Sequence, residues 1–90
     1  MAHVHRNRKS LLARVRRVAG QVAALERALE GEADCTDVLV QMAAAKGAMH
    51  SLMMEVLLGH LDEHVVAEQD EQRRRQEAQV LLELLRGYAK

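Results

Sequence analysis

"CTDVLVQMAAAKGAMHSLMMEVLLGHLDEH", residues 35–64, is the stretch that decides the fold. Its apolar residues recur at steps of three and four: Val38, Met42, Ala45, Met49, Leu52 and Val56. That spacing marks one face of a helix; the strict alternation of a half-buried strand is absent. A second stripe runs beside the first through Lys46, His50, Met53, Leu57, His60 and His64, with Leu39, Ala43 and Ala44 adding apolar surface upstream. The spacing predicts one helix over 34–66, about 50 Å long at 1.5 Å per residue. Two stripes call for burial on two sides, and so for helix-on-helix packing between subunits.

Upstream, Leu11, Val15, Val18, Val22, Leu25 and Leu29 predict a helix over 7–30. Gly31 suits its C-terminal cap, and Asp34, with Asp37 three residues later, suits the N-cap of the long helix. Downstream, the polar run "EQDEQRRRQE" (68–77) separates the long helix from Ala78, Leu81, Leu85 and Tyr88, which predict a third helix over 71–88 capped by Asp70. Gly20 and Gly47 fall inside helices, where each costs about 1 kcal/mol against Ala. Close helix approach is the expected reason. The reading is all-α: a three-helix protomer with a long central helix, a single domain over 1–90 and a flexible arm over 1–6.

Composition narrows the class. The 90 residues are 49% hydrophobic and 29% charged, with no proline. That is too apolar for disorder and too charged for a membrane protein. No apolar run approaches the roughly 20 residues that cross a bilayer. The start "MAHVHRNRKS" has no apolar core after its charges, so it does not read as a signal peptide, and the cytoplasm is expected. The one cysteine, Cys35, cannot form an internal disulfide. Tyr88 is the sole aromatic residue, so the core must be Leu, Val, Ala and Met, and so small a chain favours oligomerisation.

Net charge is zero but unevenly spread. Residues 1–25 hold Arg6, Arg8, Lys9, Arg14, Arg16 and Arg17 and no acid, whereas all 13 acids lie from Glu26 onward. A basic end on a neutral chain points to a local polyanion-binding face; a solvated basic helix is the bland alternative. A helix-turn-helix reader does not fit, because the helices are long and the basic residues sit on the first.

His60-Leu61-Asp62-Glu63-His64 matches H-x-x-E-H, a pattern of one zinc peptidase class. Such an enzyme needs a further downstream carboxylate and walls around a substrate. The 26 residues after His64 read as one helix and its approach, so an enzyme is not expected. A binding site remains, with His3, Cys35, His60 and His64 as candidate ligands. His3 and His5 could equally be exposed residues of a loose arm, and Cys35 a small hydrophobe. Cys35, however, lies in the first turn of its helix, where the dipole favours thiolate. His60 and His64 share one face a turn apart. Cys35 and His60 are 25 residues apart on one helix, about 37 Å. They cannot share an ion within one chain; antiparallel helices of two subunits would bring Cys35 of one to His60 and His64 of the other.

Three stretches carry a resemblance: "LLARVRRVAGQVAALERALEGEADC" (11–35), "MAAAKGAMHSLMMEVLLGHLDEH" (42–64) and "LLRGYAK" (84–90). With the R-x-R-R patch at 14–17 and G-Q-x-x-A-L-E at 20–26, their order and spacing resemble the CsoR/RcnR family of bacterial repressors over nearly the whole chain. The resemblance implies an all-helical fold, antiparallel dimers paired into tetramers, and operator DNA bound without a helix-turn-helix. An inducer between subunits would release the DNA. It assigns Arg14, Arg16 and Arg17 to DNA, with Lys46, which stands where many relatives have Arg. His50 likewise replaces a frequent Asn.

Inducer residues distinguish the branches. Copper sensors match at Cys35 and His60 but carry a second Cys where His64 stands. Formaldehyde sensors carry Pro where this chain has Ala2 and lack the second His. The set His3, Cys35, His60 and His64 is that of the nickel- and cobalt-responsive RcnR branch. One thiolate among imidazoles also suits Ni(II) or Co(II), and Zn(II) after them, better than Cu(I). Removal of Met1 would leave the Ala2 amine as a further donor. The expected function is a cytoplasmic, metal-responsive repressor of an efflux gene. Two alternatives stand: a formaldehyde sensor using the N-terminal amine and Cys35, and a helical interaction module that does not bind DNA.

Overall fold

The computed structural model describes Val4 and residues 7–89. Three α-helices account for most of them, and no strand occurs among the described residues: α1 (Arg8–Glu30), α2 (Cys35–Leu61) and α3 (Glu71–Tyr88). No described helix is long and apolar enough to cross a membrane. The chain forms two compact units, one over residues 7–55 and one holding residues 56–90, with the division inside α2.

The first unit is a helical hairpin. Arg14, early in α1, reaches Ser51 and Glu55, late in α2, so the two helices run antiparallel. Asn7 stands before α1 without a side-chain cap, and Gly31 closes it, its N–H donating to the Arg27 carbonyl at 3.0 Å. Gly31 does not use a left-handed conformation: its φ is −96°. Its advantage is space, because a Cβ there would sit 3.3 Å from the Arg27 carbonyl oxygen. Asp34 caps α2 as expected, its Oδ1 accepting the Asp37 backbone N–H at 2.9 Å.

Three features differ from expectation. The long helix is α-helical only to Leu61; Asp62–Val66 forms a π-helical segment, and the Ala67 N–H donates to the Asp62 carbonyl five residues back at 2.9 Å. β-Branched Val65 and Val66 weaken α-helix at that point, and a wider turn precedes the break. Asp70 occupies the N-cap position of α3 but makes no capping hydrogen bond. Its carboxylate is drawn instead toward Arg73, at 3.6 Å. Finally, a Cβ at Gly20 or Gly47 would meet nothing within 4 Å. The close helix approach expected at these glycines is therefore not made among the described residues of one chain.

Burial is sparse. Among the described residues only Val18, Leu52 and Leu81 are buried hydrophobics, at 6%, 7% and 7% exposure. Along α2, Leu39, Val40, Met42, Met49, Met54 and Leu58 are exposed on more than one side. Consecutive residues of a helix point about 100° apart, so Leu39 and Val40, like Leu57 and Leu58, cannot share one apolar face. A helix apolar around most of its circumference belongs in an interior. On the second unit Val80, Leu82, Leu84, Leu85 and Tyr88 of α3 are likewise exposed. So much uncovered apolar surface exceeds what a soluble monomer ordinarily presents. We expect a mass of more than one chain by light scattering at micromolar concentration; a one-chain mass would leave these faces unexplained.

Candidate functional site

The second unit holds the histidine pair. His60 lies in the last turn of α2 and His64 in the π-helical segment that continues it. Their ring centroids are 4.5 Å apart and the rings are tilted by 38°. Both imidazoles are largely sheltered, with side-chain exposures of 20% and 23%. The structure thus brings together the two residues that the i, i+4 spacing joined, although the backbone between them leaves the α-helix.

Each ring has an acid beside it. His60 Nε2 lies 2.8 Å from Glu77 Oε2 of α3, and His64 Nε2 lies 3.9 Å from Glu63 Oε1. An ionised carboxylate can only accept, so His60 Nε2 is the donor, and a neutral ring then carries its lone pair on Nδ1. A carboxylate behind an imidazole fixes tautomer and orientation and raises the basicity of the other nitrogen. This is the arrangement a metal-ligating histidine has. Glu77 was not legible in the sequence as a site residue: it closes the polar run before α3, and no periodicity tells which of that run's acids faces His60.

Of the remaining candidates, one belongs to the first unit. Cys35 is the exposed first residue of α2, immediately after its capping Asp34. His3, His5 and Ala2 lie outside the described residues. Among the described residues, no three of His, Cys, Asp and Glu come together as a metal cage would. The donor set still fits a borderline ion in kind: two sheltered imidazoles, one backed by a carboxylate, and an exposed thiol.

The basic candidates lie in the first unit. Arg16 and Lys46 are exposed, as are Arg8 and Lys9, and Arg17 shares α1 with all but Lys46. Arg14 differs. Its Nη1 donates to Glu55 Oε2 and its Nη2 to Ser51 Oγ at 2.7 Å, and its side chain is only 32% exposed. Antiparallel pairing around the turn at 31–34 puts position 14 opposite the low fifties, so hairpin register could have flagged Ser51 and Glu55 beforehand.

Comparison with known proteins adds three findings. The profile of a family described as metal-sensitive transcriptional repressor matches residues 7–87. The chain is 43% identical to the transcriptional repressor RcnR of Salmonella typhimurium over 90 residues, all of both chains. It is 50% identical, again over the whole of both, to an uncharacterised protein encoded in the bioA 5′ region of Serratia marcescens. Among solved structures it resembles the formaldehyde-responsive regulator FrmR of Salmonella enterica serovar Typhimurium, in a variant with one glutamate exchanged for histidine. The TM-score is 0.83 at 42% identity, covering 92% of this chain and 94% of that one.

Proposed function

The chain belongs to the metal-sensitive transcriptional repressors, a family of regulators rather than enzymes, and on that premise we propose that it senses Ni(II) or Co(II). Metal-free, it binds operator DNA in the cytoplasm as a homotetramer built from antiparallel dimers; with metal bound it releases the DNA and a metal-efflux gene is expressed. In this reading residues 1–90 act as one sensing and DNA-binding domain, a reading supported by a family match that runs over residues 7–87 and so includes parts of both compact units.

The observation that carries the metal reading is the His60–His64 pair with Glu77 behind His60. Cys35 of one subunit would join His60 and His64 of its partner, with His3 and the N-terminal amine as further donors. An ion held by these residues would cross-link the subunits, with a strength that would differ between the two DNA-binding states. Linkage then requires the metal to prefer the DNA-free form by the same factor by which it weakens DNA binding. Imidazole-rich ligation with one thiolate favours Ni(II) and Co(II) over Cu(I). Zn(II) can bind the same donors, needing only four of them.

DNA contact falls to Arg14, Arg16, Arg17 and Lys46, on the hairpin of the first unit. Cations on an acid-free stretch of helix suit phosphate contacts, which supply sequence-independent affinity.

The likeness to FrmR supports a second reading, in which formaldehyde joins the N-terminal amine to Cys35 through a methylene bridge with loss of water. The two histidines have no part in it, and Ala2 is a primary amine where formaldehyde sensors carry Pro. DNA bound by the metal-free protein should be released by Ni(II) or Co(II) at micromolar concentration and not by formaldehyde. Release by formaldehyde alone would transfer the function to the second reading, and failure to bind any DNA would leave a helical interaction module.

Glu77 gives a sharper check of the metal reading. Glu77→Gln keeps a hydrogen-bonding group and removes the carboxylate behind His60. Outer-shell changes of this kind lower metal affinity roughly 10–100-fold. We expect a loss in that range for Co(II) by competition titration with the tetramer intact. Unchanged affinity would mean His60 does not ligate through the nitrogen opposite Glu77.

A further inference from the structure

We propose that Glu55 is an intramolecular competitor for DNA phosphate at Arg14. This rests on the reading of the hairpin as a DNA-binding face and adds a residue that sets its affinity. The guanidinium of Arg14 gives Nη1 to the Glu55 carboxylate and Nη2 to the Ser51 hydroxyl at 2.7 Å. Those are the donors that arginine offers a phosphate, because carboxylate and phosphate oxygens fit the same planar fork. A phosphate reaching Arg14 must displace Glu55 or stand beside its negative charge.

Glu55 is also out of place electrostatically. Residues 1–25 contain no acid, so a carboxylate beside any cation of this segment must come from elsewhere in the chain. The hairpin brings Glu55 from α2 to one of them. The Arg14–Glu55 pair is neither sealed nor free, with side-chain exposures of 32% and 43%. Partial exposure keeps the pair weak enough to exchange with an incoming anion. Affinity is thereby held below what the basic segment alone would give. Ser51 holds the guanidinium at the same spot and contributes no charge.

The test is a fluorescence titration of metal-free, full-length protein with labelled duplex DNA, taken from a pool enriched by selection with this protein, over a range of salt concentrations. Glu55→Gln removes the competing charge and keeps the side-chain shape. It should bind about fivefold tighter, the factor matching the upper range of an exposed ion pair. Its log-affinity against log-salt slope should be steeper by about 0.9 for each Arg14 newly engaged with phosphate. The gain should vanish when Arg14 is absent: R14A/E55Q should bind no tighter than R14A. Glu55→Asp, which withdraws the carboxylate by one methylene, should gain in the same direction by less, and serves if Gln disturbs the hairpin.

Weaker binding by both Glu55 variants would overturn the proposal and make Glu55 a positioning residue for Arg14. A gain that persists without Arg14 would also overturn it, as a general charge effect. Wild-type binding with no gain in either variant removes the competitor role alone. No binding by wild type or variants, even at low salt, removes the DNA reading and this role with it.

Discussion

Arg16→Ala combined with Arg17→Ala should weaken DNA binding by the metal-free protein roughly 100-fold at moderate salt while leaving the oligomer intact, each phosphate contact being worth up to about tenfold under such conditions. Both side chains belong to the acid-free basic stretch of α1, and neither makes the link to α2 that Arg14 makes. Removing a phosphate partner should flatten the log–log salt dependence by about 0.9 per site. The loss should be similar on operator and unrelated DNA, because phosphate contacts position a protein without reading bases. A titration of the double variant on both DNAs measures affinity and slope together. Unchanged binding would move the DNA face away from α1. Arg14→Ala should cost less than either neighbour, since its guanidinium already has partners in Glu55 and Ser51.

Cys35→Ala is the second large effect. Cys35 offers the one thiolate of the proposed site, and it is exposed at the start of α2. Its loss should abolish the thiolate-to-Co(II) charge-transfer absorption and lower Co(II) affinity beyond the roughly 10–100-fold that an outer-shell change costs. Removing a surface thiol leaves the Asp34 cap in place, so the fold should not suffer. Full Co(II) affinity in the variant, with no such band in wild type either, would make Cys35 a bystander.

The identity of all three helices, and the extent of the first and third, were legible because apolar residues at three- and four-residue steps have no other simple meaning. The same periodicity gave the closeness of His60 and His64, and an acid just before the apolar pattern gave the Asp34 cap. Features set by tertiary context were not legible. The π-helical turn at Asp62–Val66 is the end of a long helix whose chain must break before α3, and nothing in the three- and four-residue steps marks where the wider turn begins. Asp70 had two candidate partners, a backbone N–H and the Arg73 side chain, and the side-chain charge won. Glu77 and Glu55 each meet their partners through the packing of one helix on another. Register between helices is not written in either helix alone, although a tight hairpin turn, as at 31–34, fixes it closely enough to have flagged Glu55. The glycines show the opposite limit: Gly20 and Gly47 have open space beside them, so nothing among the described residues of one chain explains them.

Mixed oligomers test most directly whether the metal site is shared between subunits. Oligomers of Cys35→Ala alone lack the thiolate, and oligomers of His60→Ala with His64→Ala lack the imidazole pair. Neither should show native-like Co(II) binding. In a mixed antiparallel dimer, the intact Cys35 of the second variant faces the intact His60 and His64 of the first, restoring one site, while the other site loses all three donors. After co-refolding, with mixed dimers verified by mass, the Co(II) absorption of wild type should return at up to half its strength per dimer, lowered by random assortment. A mixture that binds Co(II) no better than the two separate variants would contradict the shared site and leave His60 and His64 as an ordinary pair of helix histidines.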